Sequence, residues 1–211
     1  DKNDESKNTI IVFLGDNGGL ATSQEWREGP LYTQNSPLKC GKGSMYEGGI
    51  RVPFMVKWNG VVKPDTRNNT SIMIEDLFPT LLHMAQVNDY KVPQIVDGKD
   101  MVPLLEGKNE AEFNKRSIIW NFPNIWGNTG PGINLNCAIR QGDWKLIYNY
   151  ETGEKELYNI PQDIGENNNL AHANPSKVKE LSSILGKKLR QMNAQRPVVT
   201  ATSKPCAWPD E

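Results

Sequence analysis

Three residues near the start of the 211-residue chain could form a metal and anion site. Asp16 and Asn17 stand side by side, and Lys42 lies between Gly41 and Gly43. A carboxylate beside a carboxamide offers two hard oxygen ligands, which suit calcium or magnesium. A lysine between glycines places a compact positive charge where the backbone can approach a ligand closely. Asp-Asn-Gly is also ordinary turn chemistry, so local sequence leaves both interpretations open.

The residues just before Asp16 predict how this pair is positioned. Residues 9–14 form an apolar run that is rich in β-branched side chains, followed by Gly15. Such a run without polar alternation is typical of a strand buried on both faces. The pair would then follow the carboxyl end of a buried strand, the edge where open α/β sheets bind ligands.

The glycine-rich segment around Lys42 is not a phosphate-binding P-loop. That motif requires Ser or Thr directly after Gly-Lys, whereas Gly43 follows Lys42 here.

Several segments in a fixed order resemble the sulfatase family, in the arylsulfatase type. They are Asp-Asn-Gly-Gly at 16–19, Pro-Leu-Lys-Cys-Gly-Lys-Gly at 37–43, Tyr-Glu-Gly-Gly-Ile-Arg-Val-Pro at 46–53, and further segments at 75–82, 97–99, 103–105, 140–147 and 156–159. The resemblance extends over residues 9–192 and matches only the carboxyl-terminal half of the family pattern.

The resemblance implies roles for individual residues. The family hydrolyses sulfate esters with a formylglycine nucleophile and a divalent cation, usually calcium. Asp16 and Asn17 match the metal pair, and Lys42 matches a lysine that contacts the sulfate. The Glu-Gly-Gly segment at 47–49 and Arg51 match positions with structural roles, and we expect Arg51 to form a buried ion pair with Glu47 or another carboxylate.

Other parts of the family pattern are absent from these 211 residues. No Cys/Ser-x-Pro-x-Arg motif, which would supply the formylglycine, occurs in the sequence. The amino-terminal aspartate pair, the histidines and the second lysine of the family site are also missing. We therefore expect the carboxyl-terminal portion of a sulfatase, inactive alone, whose partners are the amino-terminal half of the same enzyme and a sulfate ester. A sulfated glycan or glycosaminoglycan unit is the commonest substrate of this kind of sulfatase, and aryl sulfates and other sulfate esters remain open.

Two alternatives remain open at this stage. One is a phosphomonoesterase or phosphonate hydrolase of the same superfamily, although those enzymes usually carry Asp-His where this chain has Asp16 and Asn17. The other is a non-catalytic carbohydrate-binding or assembly fragment.

Composition excludes some other functions. The 24 Lys and Arg residues against 25 Asp and Glu residues give a net charge of −1, which provides no electrostatic basis for binding nucleic acid. No apolar run approaches the length of a membrane span. The resemblance alone implies a secretory location, whether periplasmic, lysosomal or extracellular. Three cysteines exclude a complete disulfide framework, and their spacing identifies no pair.

The fold class predicted from the resemblance is α/β, the carboxyl-terminal part of an alkaline-phosphatase-like sulfatase fold followed by a small antiparallel sheet with a packed helix. We expect residues 1–110 to belong to the catalytic α/β domain, with parallel strands and helices, and residues 111–211 to form the small subdomain.

Residue patterns predict the elements within these two parts. Upstream, strands are expected at 52–58 and 72–74, then a helix capped by Asp76 with Leu77, Leu81, Leu82 and Ala85 towards the core. Downstream, strands are expected at 117–122, 137–140, 144–148 and 155–158, then a helix over 175–192 with Asn174 as N-cap and Val178, Leu181, Leu185 and Leu189 on its buried face. His83 and His172 are expected to be structural or exposed.

Overall fold

The computed structural model describes residues 5–20, 35–87, 89–108, 111–124 and 130–211. Contacts divide the chain into two units. The first unit contains Asp1–Leu14 and Pro53–Arg116, and the second contains Gly15–Val52 and Ser117–Glu211. The boundary after residue 110 stays a prediction. Within the structure, the segment that carries Asp16 and Lys42 belongs to the same unit as the carboxyl-terminal sheet.

The strands are β1 (Ile10–Leu14), β2 (Phe54–Trp58), β3 (Ser117–Phe122), β4 (Asn136–Gln141), β5 (Trp144–Asn149), β6 (Lys155–Asn159), β7 (Val198–Val199) and β8 (Lys204–Pro205). The α-helices are α1 (Glu47–Ile50), α2 (Leu77–Met84), α3 (Val102–Leu105), α4 (Ala111–Lys115) and α5 (Pro175–Gln191), and short 3-10 helices cover Glu5–Asn8 and Ile74–Asp76.

The first unit contains a two-stranded antiparallel sheet. β1 pairs with β2, and Val12 lies opposite Val56. The expectation of parallel strands is therefore wrong for this pair. The expectation that the first strand is buried on both faces is also wrong within this chain, since Ile11 is 53 % exposed and Phe13 is 55 % exposed. Successive side chains project to opposite faces of a strand, so one apolar face of this pair is open.

The core of the first unit is built around Met101, Leu104 and Phe113. Asp76 is fully buried beside it, where both carboxylate oxygens accept hydrogen bonds from Arg116 at 2.7 and 2.6 Å. The same carboxylate also accepts the backbone N–H groups of Met73 and Lys99.

Three details of the first unit differ from the sequence predictions. The strand expected at 72–74 is absent, because a 3-10 helix begins at Ile74 and leads into α2. Asp76 precedes α2 but makes no capping hydrogen bond with its side chain, which binds Arg116 instead. α2 buries Thr80, whereas Leu81 and Ala85 are exposed, so the predicted apolar face of α2 is only partly correct.

The second unit contains the antiparallel meander that the sequence predicts. Strands β3, β4, β5 and β6 are neighbours in chain order. Helix α5 starts at Pro175 after Asn174, and its residues Leu181, Leu185 and Leu189 are at most 1 % exposed. Val178 is partly buried against the same core cluster. The helix, its N-terminal boundary and its buried face are therefore confirmed, but the Asn174 side chain makes no capping hydrogen bond.

No helix within the described ranges is long and apolar enough to span a membrane. Cys40, Cys137 and Cys206 are free thiols.

Candidate functional site

The Asp16–Asn17 pair lies in a tight turn one residue after β1. The Asn17 N–H donates to Asp16 Oδ1 at 2.9 Å, and Asn17 Nδ2 donates to the Gly18 carbonyl at 3.0 Å. Asp16 is exposed and Asn17 is half-buried. The turn thus offers a carboxylate and an amide carbonyl oxygen, the ligand types that calcium prefers.

The turn is held against helix α1 by backbone contacts. The Gly18 N–H donates to the Gly49 carbonyl at 2.9 Å. A Cβ atom on Gly18 would lie only 1.7 Å from the carbonyl oxygen of Gly48, so no larger residue fits at this position without a shift of the backbone.

The Lys42 segment lies beside the same turn. The Lys42 N–H donates to the Gly19 carbonyl at 3.1 Å. Asn35 also joins the two segments, since its Nδ2 donates to the carbonyls of Gly19 and Cys40, both at 2.9 Å, and its Oδ1 accepts the Gly19 N–H. The structure therefore places the segments that carry Asp16, Asn17 and Lys42 next to each other.

The turn around Lys42 depends on Gly43. Its φ of +91° lies in a region that side-chain-bearing residues rarely adopt. Lys42 itself is half-buried.

A buried ionic cluster lies behind α1. Glu47 is 3 % exposed, and its Oε1 is 3.0 Å from the Nζ atom of Lys145. Lys145 also contacts Glu166 Oε1 at 2.8 Å, and both of these residues are fully buried. The second Glu166 oxygen accepts the Glu47 N–H at 2.7 Å, and Arg140 lies 3.7 Å from Glu47 Oε2. We call Glu47, Lys145, Glu166 and Arg140 the buried ionic cluster.

The pKa values of the two glutamates of the cluster are shifted in opposite directions. Burial alone would raise the pKa of Glu47, but the attraction of Lys145 and its hydrogen bond outweigh burial and lower this pKa. For Glu166 burial outweighs the attraction of Lys145, so its pKa is raised. Glu47 is therefore the carboxylate that most strongly retains its negative charge.

The predicted ion pair of Arg51 with Glu47 is present at 3.4 Å, but the Arg51 side chain is 44 % exposed and not buried. The cation buried against Glu47 is Lys145, whose importance sequence reasoning missed. The only sign of this role in the sequence is a lysine between Trp144 and Leu146 in an apolar strand. Glu166 lies in a polar loop and gives no signal in the sequence.

An open cavity of about 1030 Å³ in the second unit is lined in part by Lys39, Glu156 and Tyr158. Glu156 accepts hydrogen bonds from the hydroxyls of Tyr46 and Tyr158. Lys39 Nζ lies 4.1 Å from the centroid of the Tyr46 ring. These contacts hold the Lys39, Glu156 and Tyr158 side chains together at the wall of the cavity.

Neither histidine lies in the turns that carry Asp16 and Lys42. His172 lines the cavity, and His83 is half-exposed with its Nδ1 2.6 Å from Asp100 Oδ2. Across the described ranges, no group of three or more His, Cys, Asp and Glu side chains could hold a metal ion. Asp16 and Asn17 fit a calcium ion by ligand type, as part of a larger ligand set.

Comparison with known proteins defines the class. Residues 40–195 match the family described as N-sulphoglucosamine sulphohydrolase, C-terminal, so the chain carries the carboxyl-terminal domain of a sulfatase. The chain belongs to this N-sulphoglucosamine sulphohydrolase C-terminal family.

Individual proteins agree with this assignment. A sulfatase of Formosa agariphila is 35 % identical over 194 residues, which are 88 % of this chain and 33 % of that protein. The crystal structure of Ps i-CgsB in complex with k-i-k-neocarrahexaose has a TM-score of 0.71 and 27 % identity, and the match covers 92 % of this chain and 39 % of that chain. BT4656 in complex with its substrate D-glucosamine-2-N,6-O-disulfate has a TM-score of 0.68 and 25 % identity, covering 91 % and 36 %.

These similarities confirm the predicted resemblance and the predicted fold class, an α/β fold of the alkaline-phosphatase-like sulfatase type seen in its carboxyl-terminal part. The chain spans about a third of the length of the curated relatives that it matches.

Proposed function

We propose that this chain is the carboxyl-terminal portion of an enzyme that hydrolyses sulfate esters of glycans by a formylglycine- and calcium-dependent mechanism. The observation that carries the proposal is the hydrogen bond from the Lys42 N–H to the Gly19 carbonyl, because it brings the lysine segment beside the Asp16–Asn17 turn. Membership of a sulfatase C-terminal family supports the reaction class. The saccharides named for Ps i-CgsB and BT4656 support a sulfated glycan as the substrate class.

Asp16 and Asn17 would hold the cation in this proposal. Calcium takes about six to eight oxygen ligands, so the pair supplies a part of the ligand set. When bound, the cation would offset the negative charge of the sulfate oxygens.

Lys42 would contact the sulfate. Its ammonium group would stabilise the negative charge that develops on the transferring group and on the leaving oxygen. This role is electrostatic and requires no proton transfer from Lys42.

The amino-terminal half of the enzyme would supply the nucleophile and the remaining metal ligands. Since no Cys/Ser-x-Pro-x-Arg motif occurs in the 211 residues, the formylglycine would lie outside this chain. The family route needs a covalent acceptor on the protein, so this chain alone should be inactive.

The test uses the intact protein with sulfated saccharides, including sulfated D-glucosamines, and an aryl sulfate. Asp16→Ala and Lys42→Ala should each lower kcat/KM by a factor of at least about 100, the usual effect of removing one electrostatic contact to a transition state. Asp16→Ala should also lower the calcium content measured by elemental analysis. Lys63→Ala is the matched control, because Lys63 is an exposed lysine of the first unit.

Two results would contradict the proposal. Wild-type turnover by Asp16→Ala would contradict the assignment of Asp16 as a metal ligand. Hydrolysis of phosphate monoesters in preference to sulfate esters would assign the protein to the phosphomonoesterase alternative.

A further inference from the structure

Helix α1 connects the two segments of the candidate site. Its Gly49 carbonyl accepts the Gly18 N–H beside the Asp16–Asn17 pair, and its Gly48 N–H donates to the Lys39 carbonyl at 2.9 Å just before the Lys42 turn. A Cβ atom on Gly48 would lie 2.3 Å from the carbonyl oxygens of Lys39 and Cys40. Because backbone lies directly on backbone, a displacement of α1 must displace both segments.

The opposite side of α1 is held by the buried ionic cluster. Glu166 accepts the N–H of Glu47 at 2.7 Å, and Lys145 lies within 3.0 Å of one oxygen of each glutamate. Lys145 comes from β5 and Glu166 from the loop after β6. The first residue of α1 is thereby fixed to the carboxyl-terminal sheet.

The attachment of α1 to the sheet depends on the positive charge of Lys145. A carboxylate pair that shares one buried ammonium becomes an uncompensated buried charge when the ammonium is removed. Arg140 and Arg51 would draw Glu47 in their own direction, since both lie near Glu47 Oε2 whereas Lys145 lies near Oε1. Loss of Lys145 should therefore rotate or shift the start of α1.

We propose that Lys145 and Glu166 are positioning residues for the candidate site, acting through Glu47 and α1 on Lys42 and on the Asp16–Asn17 pair without contacting the substrate. This inference rests on the proposed function for its consequence in turnover. Its structural part, the control of the two turns by the buried ionic cluster, can be measured without turnover.

The test uses the intact protein carrying Lys145→Met or Glu166→Gln, with Lys177→Met as the matched control. Lys177 forms an ion pair with Glu180 at 2.6 Å on α5 and is partly exposed. Amide hydrogen exchange, followed by mass spectrometry, reports the segments 15–20 and 39–50 separately from α5. Steady-state kinetics with a sulfated saccharide give kcat and KM.

We expect Lys145→Met and Glu166→Gln to speed exchange in the segments 15–20 and 39–50 by about tenfold or more, with exchange in α5 unchanged. We expect kcat to fall by a factor on the order of 10 to 100, since misplacement by about 1 Å can cost that much. The double variant Lys145→Met/Glu166→Gln should recover part of the kcat lost in Lys145→Met, because it removes one positive and one negative charge together. Lys177→Met should behave as the wild type.

Uniformly faster exchange across the second unit, including α5, would overturn the proposal in favour of a purely structural role. Unchanged exchange and kcat in both single variants would overturn it as well. If Lys145→Met fails to fold, the Glu166→Gln variant, which keeps the side-chain shape, decides between these outcomes. If the wild-type protein does not hydrolyse sulfate esters, the proposed function fails, and the exchange data alone decide whether the cluster positions the turns.

Discussion

At the scale of single residues, the candidate site depends on positions where no side chain fits. Glycines at 18, 48 and 49 allow the Asp16–Asn17 turn, the Lys42 segment and α1 to approach one another at backbone distance. Sequence reasoning attributes such glycines to sharp turns and close ligand approach. The structure adds a third reason, which is direct contact between backbone segments.

Substitution of Gly18 tests this reason. Gly18→Ala should lower the free energy of unfolding of the intact protein by about 3 kcal/mol, because the new methyl group meets the fixed Gly48 carbonyl. Gly153→Ala is the control, since Gly153 has a φ of +73° but nothing lies within 4 Å of its Cβ position. The control should cost only about 1–2 kcal/mol of backbone strain. Urea unfolding measures both, and equal losses would contradict the contact argument.

The residue types of the candidate site could be selected from the sequence, but its support could not. Asp16, Asn17 and Lys42 stand out by type and by their glycine neighbours. Lys145 and Glu166 lie 98 and 119 residues from Glu47 along the chain. Only the folded register of the sheet determines that the Lys145 side chain points to Glu47 and not to water, so composition and spacing cannot reveal this contact.

At the scale of elements, α5 makes the clearest contribution to stability. Leu185 is fully buried on its inner face, and Met192, just after its end, is 63 % exposed. Leu185→Ala should lower the free energy of unfolding by about 2–5 kcal/mol through lost burial and a residual cavity. Met192→Ala should change it by less than about 0.5 kcal/mol. Thermal or urea unfolding of the intact protein measures the difference, and a small effect of Leu185→Ala would contradict the packing described for α5.

The elements that the sequence predicts well are those with local signals. Strands β3 to β6 alternate with turns rich in glycine, and α5 repeats its apolar residues at helical spacing. No local pattern indicates the orientation of β1, because an apolar run does not determine which strand it pairs with. α2 is short. It buries Thr80, whose hydroxyl accepts the Met101 N–H, and packs Leu77 on the core, whereas Leu81 is exposed.

At the scale of the whole molecule, one face of the β1–β2 sheet is apolar and open. Ile11, Phe13 and Met55 are all more than half exposed and apolar. The chain spans about a third of the length of its curated relatives, and we expect the amino-terminal remainder of the enzyme to cover this face.

The isolated chain should therefore associate with itself and show no sulfatase activity. Sedimentation should detect oligomers, and Met55→Lys should reduce them, whereas Val199→Lys, on the second unit, should not.

Purified chain with calcium and an activated aryl sulfate should give no product until a matured amino-terminal half is added. Calcium-dependent turnover by the chain alone, lost in Lys42→Ala, would show that the proposed chemistry is wrong.

The division into units was the least predictable property at this scale. The sequence analysis predicts a single boundary after residue 110, whereas the chain passes between the two units after Leu14, after Val52 and after Arg116. The contacts of Gly15–Val52 with the rest of the second unit include the buried contacts of Glu47, which are distant in sequence and carry no local signature.

The interleaving of the two units has a consequence for biosynthesis. The ribosome releases Glu47 long before Lys145 and Glu166, which follow 98 and 119 residues later. At about 5–20 residues per second, the start of α1 would wait roughly 6 to 24 seconds for its last buried partner. Throughout that interval the nascent chain carries the residues of the candidate site without the contacts of the buried ionic cluster. The capacity to bind a cation and a sulfate at these turns would therefore arise late, after the carboxyl-terminal sheet has been translated.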